Sequence, residues 1–308
     1  MRDLNEFRIY YNQTIHPELM RLDRQRRRLL RLMFFSFLVI IALVIFELYL
    51  DILIVTLTLM IPVAIYMYML WRQVKKFRTD FKPKVVNLIL DFMKESINFR
   101  SMSYDPHRYI PMQMFMDSKL FGVKPAVYEG EDYIEGRVDE VKFQLSELNV
   151  KEFSRVRNRL NYVFRGVFLH AELKTPLNGT VIMLPREFRQ FLIRTIKYIN
   201  LINVADMDGF IKNTAFRELF LTYASINVKI GEVLPDYMQK VFADYVMRTG
   251  KQIYVSFEGK NLYIAITNPK DMLEPHIFQS NVSFDLIREF FDDIHTIVNL
   301  VEEFDNHH

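Results

Sequence analysis

From Leu32 to Trp71 the chain is almost wholly apolar, and its only acidic or basic side chains there are Glu47 and Asp51. A single helix of that length would run about 60 Å, roughly twice the hydrocarbon core of a bilayer. The stretch therefore reads as two spans, residues 32–50 and 52–71, joined by a tight connection at Glu47 and Asp51. Charges at a bilayer centre cost several kcal/mol, whereas at the interface they reach water. A transmembrane helical hairpin is expected.

Basic residues flank this block on both sides. Arg21, Arg24, Arg26, Arg27, Arg28 and Arg31 precede it, and Arg72, Lys75, Lys76, Arg78, Lys82 and Lys84 follow. The connection has none, so the positive-inside rule puts both termini in the cytoplasm. The arginine cluster also fits anionic-lipid recruitment, but a topology determinant is the plainer reading. Glu47 is read as an interfacial acid and not a proton relay, and Pro62 as a tolerated proline. Two spans are too few for an ordinary transporter unless the chain forms a homo-oligomer, which stays open.

The chain has 308 residues and a net charge of +3. Because the positive surplus sits beside the apolar block, no nucleic-acid binding is expected. Cysteine is absent, which removes disulfides, thiolate zinc sites and thiol nucleophiles. The apolar block starts behind a long charged segment with no small-residue cleavage site after it, so the anchor is expected to persist.

The soluble remainder divides by pattern. Residues 1–31 form a helical N-terminal arm, with Leu4, Phe7 and Tyr11 on one face and Pro17 opening a second helix. Residues 72–119 form a helical connector: a helix near 79–100 with Pro83 in its first turn, a loop from Ser101 to Pro111, and a short helix near 112–119. Residues 120–308 switch to β patterning, with strands over 126–134, 138–150, 160–173, 180–184 and 216–226, and turns at Glu135-Gly136 and Asn178-Gly179. Pro235 opens a helix that Gly250 closes, a hairpin turns around Glu258-Gly259-Lys260-Asn261, and a last helix covers 284–304 with Ile287, Phe291, Ile294, Val298 and Val301 on one face. Without regular βαβ alternation the fold class is α+β, antiparallel strands with packed helices.

Gly130-Glu131-Asp132-Tyr133-Ile134-Glu135-Gly136, followed by the FQLSEL run of 143–148, resembles an uncharacterised bacterial membrane family, domain of unknown function 3137. Phe164-Arg165-Gly166-Val167-Phe168, the strand 180–185 and Leu234-Pro235 continue the resemblance, which covers about residues 80–300. It implies a transmembrane pair ahead of the domain, a bacterial inner-membrane location, and a membrane-protein partner of the LemA type. It implies no reaction.

Candidate chemistry is sparse. Glu129, Glu131 and Asp132 could offer oxygens to a hard cation, although a polar turn explains them as well. Asp206-Met207-Asp208-Gly209 opens like a calcium loop but lacks the later ligands. The seven histidines show no paired metal spacing, and His295 is placed on a solvated acidic face with Glu289, Asp292 and Asp293. No GxSxG, GxxxxGK[ST] or GxGxxG motif is present, and 9 glycines leave little for a phosphate cradle. No cofactor and no enzymatic activity are expected. The leading reading is a membrane-anchored interaction or scaffold protein that shares the surface with membrane lipids; a lipid-handling or membrane-sensing domain is the alternative, and a cryptic hydrolase is less favoured.

Overall fold

The computed structural model describes residues 4–50, 53–95, 99–154, 158–187, 195–197, 204–269 and 272–307. The chain separates into two compact units: residues 1–93 with 273–290, and residues 94–272 with 291–308.

In the first unit, helix α1 (Leu4–Tyr10) passes through a π turn (Tyr11–Ile15) straight into α2 (His16–Leu50). The expected break at Pro17 does not occur. Proline lacks the N–H that would bond four residues back, and the widened turn just before it absorbs that loss. Helix α3 (Leu53–Lys94) likewise runs through Pro62 and Pro83 without a break, so the second apolar span and the expected connector helix are one element. Both helices are long and apolar enough to cross a membrane. Phe34, Phe37, Ile45, Ile61, Ile65 and Trp71 are each more than half exposed, an arrangement that water would penalise and lipid would not. This supports membrane association. Asp51, in the expected connection, lies outside the described residues.

Beyond the apolar stretches the helices bury a conventional core. Phe7, Tyr11, Ile15, Leu19 and Leu22 recur at helical spacing and are buried, as are Phe77, Phe81, Val85, Ile89 and Phe92 on α3. Phe7 packs on Phe92 at 5.2 Å and Tyr11 meets Phe284 edge-on at 5.0 Å.

The second unit is built on a nine-stranded sheet among the described residues, every pairing antiparallel. Its strands are β1 (Phe99–Asp105), β2 (Val127–Val138), β3 (Val141–Ser154), β4 (Arg159–Glu172), β5 (Thr180–Pro185), β6 (Val204–Asp206), β7 (Phe220–Ser225), β8 (Ile253–Glu258) and β9 (Asn261–Thr267). Their order is β1-β2-β3-β4-β9-β8-β5-β7-β6. The C-terminal hairpin β8–β9 thus inserts between β4 and β5, which are consecutive in sequence.

Both faces of the sheet are covered. On one, Phe115 of α4 (Met112–Asp117) stacks on Phe121 at 4.8 Å and approaches Phe168 at 5.3 Å. The other carries α5 (Thr214–Leu219), α6 (Ile230–Val233), α7 (Asp236–Thr249) and the later turns of α8 (Phe284–His307). There Phe257 meets Phe304 edge-on at 4.5 Å, and Phe242 lies 6.1 Å from Phe304. Aromatic pairs of this kind contribute about 0.5–1.5 kcal/mol each beyond their buried area.

Three local expectations are corrected. Residues 99–105 are a strand and not part of a loop, because Met102 is buried and the Tyr104 hydroxyl donates to Asp132 at 2.6 Å. The hairpin after residue 126 turns at Asp139-Glu140, and Glu135-Gly136 continues β2. Residues 214–219 are helical and only 220–225 extended, since the Asn213 side chain caps the helix by accepting from the Phe216 N–H at 3.0 Å.

Candidate functional site

An irregularity in β2 between Glu131 and Ile134 breaks its pairing with β3. Asp132 takes up the extra residue with φ 58°, a left-handed conformation that Asp tolerates better than most residues. The bulge turns the Asp132 carboxylate inward, where it is buried. Glu131 sits directly across from Glu147 of β3, and oxygens of Glu131, Asp132 and Glu147 lie within 4.8 Å of one another.

Of the expected acidic cluster, Glu131 and Asp132 come together, whereas Glu129 turns away and accepts from Asn149 at 3.4 Å. Glu147 takes its place and also accepts the Met272 N–H at 3.2 Å. Like charges directly opposite on neighbouring strands cost about 0.2–1 kcal/mol, and closely spaced carboxylate oxygens are the donors that hard cations take. Burial first, and then the negative Asp132, push the Tyr104 hydroxyl well above the usual phenol range.

A second polar row crosses four adjacent strands. The Tyr133 hydroxyl donates to the Gln144 carbonyl oxygen at 2.7 Å. The Gln144 amide nitrogen faces Nδ1 of His170 at 3.1 Å, and Nε2 of His170 faces the Asn261 side-chain oxygen at 2.8 Å. An amide donor against Nδ1 leaves the proton on Nε2, the neutral tautomer. Burial holds His170 below the ordinary histidine range, against the opposing pull of Asn261 and Glu172. Each member satisfies the next, so the row clasps β2, β3, β4 and β9 together.

The basic flank is partly structural. Asp23 is buried and accepts from Nε of Arg26 at 2.8 Å and Nε of Arg27 at 2.7 Å. Burial raises the Asp23 carboxyl, but the bonds and charges of Arg27 and Arg26 outweigh it and hold it below the ordinary range. Arg26 also donates to the Ile277 carbonyl at 2.8 Å. Arg28, Arg31, Arg72, Lys75 and Lys76 are exposed, with Lys75 over the Trp71 ring at 5.9 Å, and Glu47 is half-buried on α2.

The remaining candidates resolve into structural roles. Asp208 forms an ion pair with Arg186 and accepts the Thr222 N–H. His295 stacks on Phe291 at 5.0 Å. The expected solvated acidic face fails at Asp293, which is 2% exposed and accepts from Tyr245 at 2.8 Å and Lys251 at 2.6 Å. The glycines of the motif serve close packing: a Cβ on Gly130 would meet the Glu147 carbonyl oxygen at 2.7 Å, and one on Gly136 the Ser101 carbonyl oxygen at 2.8 Å.

The sequence profile of the family described as protein of unknown function (DUF3137) matches residues 162–306, somewhat under half of the chain. The expected resemblance is thereby found. Gly166 lies inside the match, and the Gly130–Gly136 run lies ahead of it. No curated protein matches the sequence. Among solved structures, the crystal structure of the mycobacterial trehalose monomycolate transport factor A, TtfA, is similar at a TM-score of 0.31 and 10% identity, over 63% of this chain and 88% of that chain. A likeness at that level carries no inference about this chain's activity.

Proposed function

We propose that the chain is a membrane-anchored interaction protein, a scaffold whose α+β domain docks another protein at the cytoplasmic surface of a bacterial inner membrane. In this reading α2 and α3 form a multi-pass anchor, and the basic flanks hold both termini and the domain on the cytoplasmic side. The observation that carries the docking is the outer edge of β1. Among the described residues this seven-residue strand ends the sheet and pairs on one side with β2. An edge strand presents alternating N–H and C=O groups to which an extended partner segment adds as a further strand. Ser101 and Ser103 stand exposed along it, and within β1 neither lysine nor proline blocks the approach. A LemA-type membrane protein is the partner class to which the family resemblance leads.

The test is photocrosslinking in native membranes from a reactive residue placed at Ser103. The expected product joins this chain to a different protein. Recovery of the chain alone, or a product of two copies of it, contradicts the proposal.

A further inference from the structure

The hairpin of β3 and β4 extends beyond the rest of the sheet. Pairing of β2 with β3 ends at Val127 opposite Lys151, and pairing of β9 with β4 ends at Thr267 opposite Gly166. Past those points Glu152–Ser154 and Arg159–Asn161 pair only with each other in the described sheet. Two strands paired only with each other are marginal in water.

Its side chains make it less comfortable there. A register shift between Val150 and Lys151 skips Val163 on β4, so Val150 and Phe164 point into the core while Tyr162, which regular alternation would put on the same face as Phe164, joins Lys151 on the opposite face. Phe153 lies opposite Leu160 on that same outward face. Phe153, Leu160 and Tyr162 are 51%, 47% and 63% exposed, and Lys151 lies over the Tyr162 ring at 5.0 Å. Arg159 is exposed beside them. An exposed aromatic and aliphatic cluster set among cations matches the headgroup layer of an anionic bilayer, where aromatic rings sit at the interface and phosphates pair with arginine.

We propose that this ribbon docks on anionic lipid headgroups. The occupant is a membrane and not an acidic protein because exposed apolar side chains accompany the charge and because the apolar helices of the same chain raise the effective concentration of membrane at the domain. The inference is independent of the partner docking at β1. Each cation near an anionic surface strengthens binding about fivefold, so neutralising two weakens it about 25-fold.

Because the chain lacks cysteine, Leu160→Cys can carry an environment-sensitive fluorophore on the full-length protein. The protein is reconstituted in vesicles of phosphatidylcholine alone or with roughly a third phosphatidylglycerol, each containing a lipid-borne quencher, with anionic lipid in the range that recruits basic segments. Quenching is expected in the anionic vesicles only. It should fall in salt near 1 M, where screening shortens to about 3 Å, and should drop with Lys151→Gln plus Arg159→Gln. A probe at Ile226→Cys, 85% exposed elsewhere in the domain, should stay unquenched. A Leu160 probe that remains in water in both vesicles overturns the proposal and points the ribbon at a protein. Equal quenching in both, or quenching at Ile226 as well, overturns it too.

Discussion

Replacing Gly166 with alanine is expected to abolish accumulation of folded protein. Gly166 stands in the middle of β4 with φ 146°, a backbone conformation that side-chain-bearing residues rarely adopt. A Cβ there would lie 2.0 Å from the Ile266 carbonyl oxygen, 2.6 Å from the Asn268 nitrogen and 2.9 Å from the Thr267 Cα. All three are backbone atoms, so no rotamer change relieves the clash, and β9 must leave β4. That pairing joins β1–β4 to the other five strands. Strain and lost pairing together cost about 3 kcal/mol or more, against a total stability of about 5–15 kcal/mol. Protease resistance of the detergent-solubilised chain measures it, and a Gly166→Ala variant as resistant as the parent would refute this reading of β4.

The second large effect is expected at Asp293. Its carboxylate, 2% exposed, takes hydrogen bonds from the Tyr245 hydroxyl of α7 and from Lys251 just beyond that helix. Burial first and the Asp293 charge second push the Tyr245 hydroxyl well above its ordinary range, so it stays a donor. Asp293→Ala withdraws a buried charged acceptor from the largely buried Lys251 ammonium, and breaking a buried pair this way costs about 3–5 kcal/mol. Asp293→Leu combined with Lys251→Met should recover much of the loss, because an apolar pair carries no desolvation cost. Denaturant midpoints of the two variants against the parent distinguish this from a simple packing defect. In that case the double variant would be no better than the single one.

Legibility in the sequence followed the range of the interactions. The two apolar helices were readable because lipid exposure demands uninterrupted apolar runs, and most of the hairpins because β-branched and aromatic residues flank their turns. Strand β1 was hidden, since Arg-Ser-Met-Ser-Tyr beside proline and histidine resembles a loop until Tyr104 meets Asp132 across the sheet. Gly136 imitated a turn glycine. It is needed because the Ser101 backbone and the Phe143 ring crowd it. The insertion of β8–β9 beside β4 joins His170 to Tyr263 and Gly166 to Thr267, pairings that no local pattern encodes. For the same reason Glu131 and Asp132 stood out as an acidic run, while Glu147 emerged only from the β2–β3 register. The Gln144–His170 contact is of the same kind, set by their position opposite each other across β3 and β4.

The central claim is that α2 and α3 hold the α+β domain at a membrane, on the side of the basic flanks. Single cysteines placed at Asp51 and at the exposed Ile226 of this cysteine-free chain, labelled with a membrane-impermeant maleimide in intact cells and again after lysis, test it directly. The account predicts labelling at position 51 from outside and labelling at position 226 only after lysis. Labelling of position 226 in intact cells would contradict it.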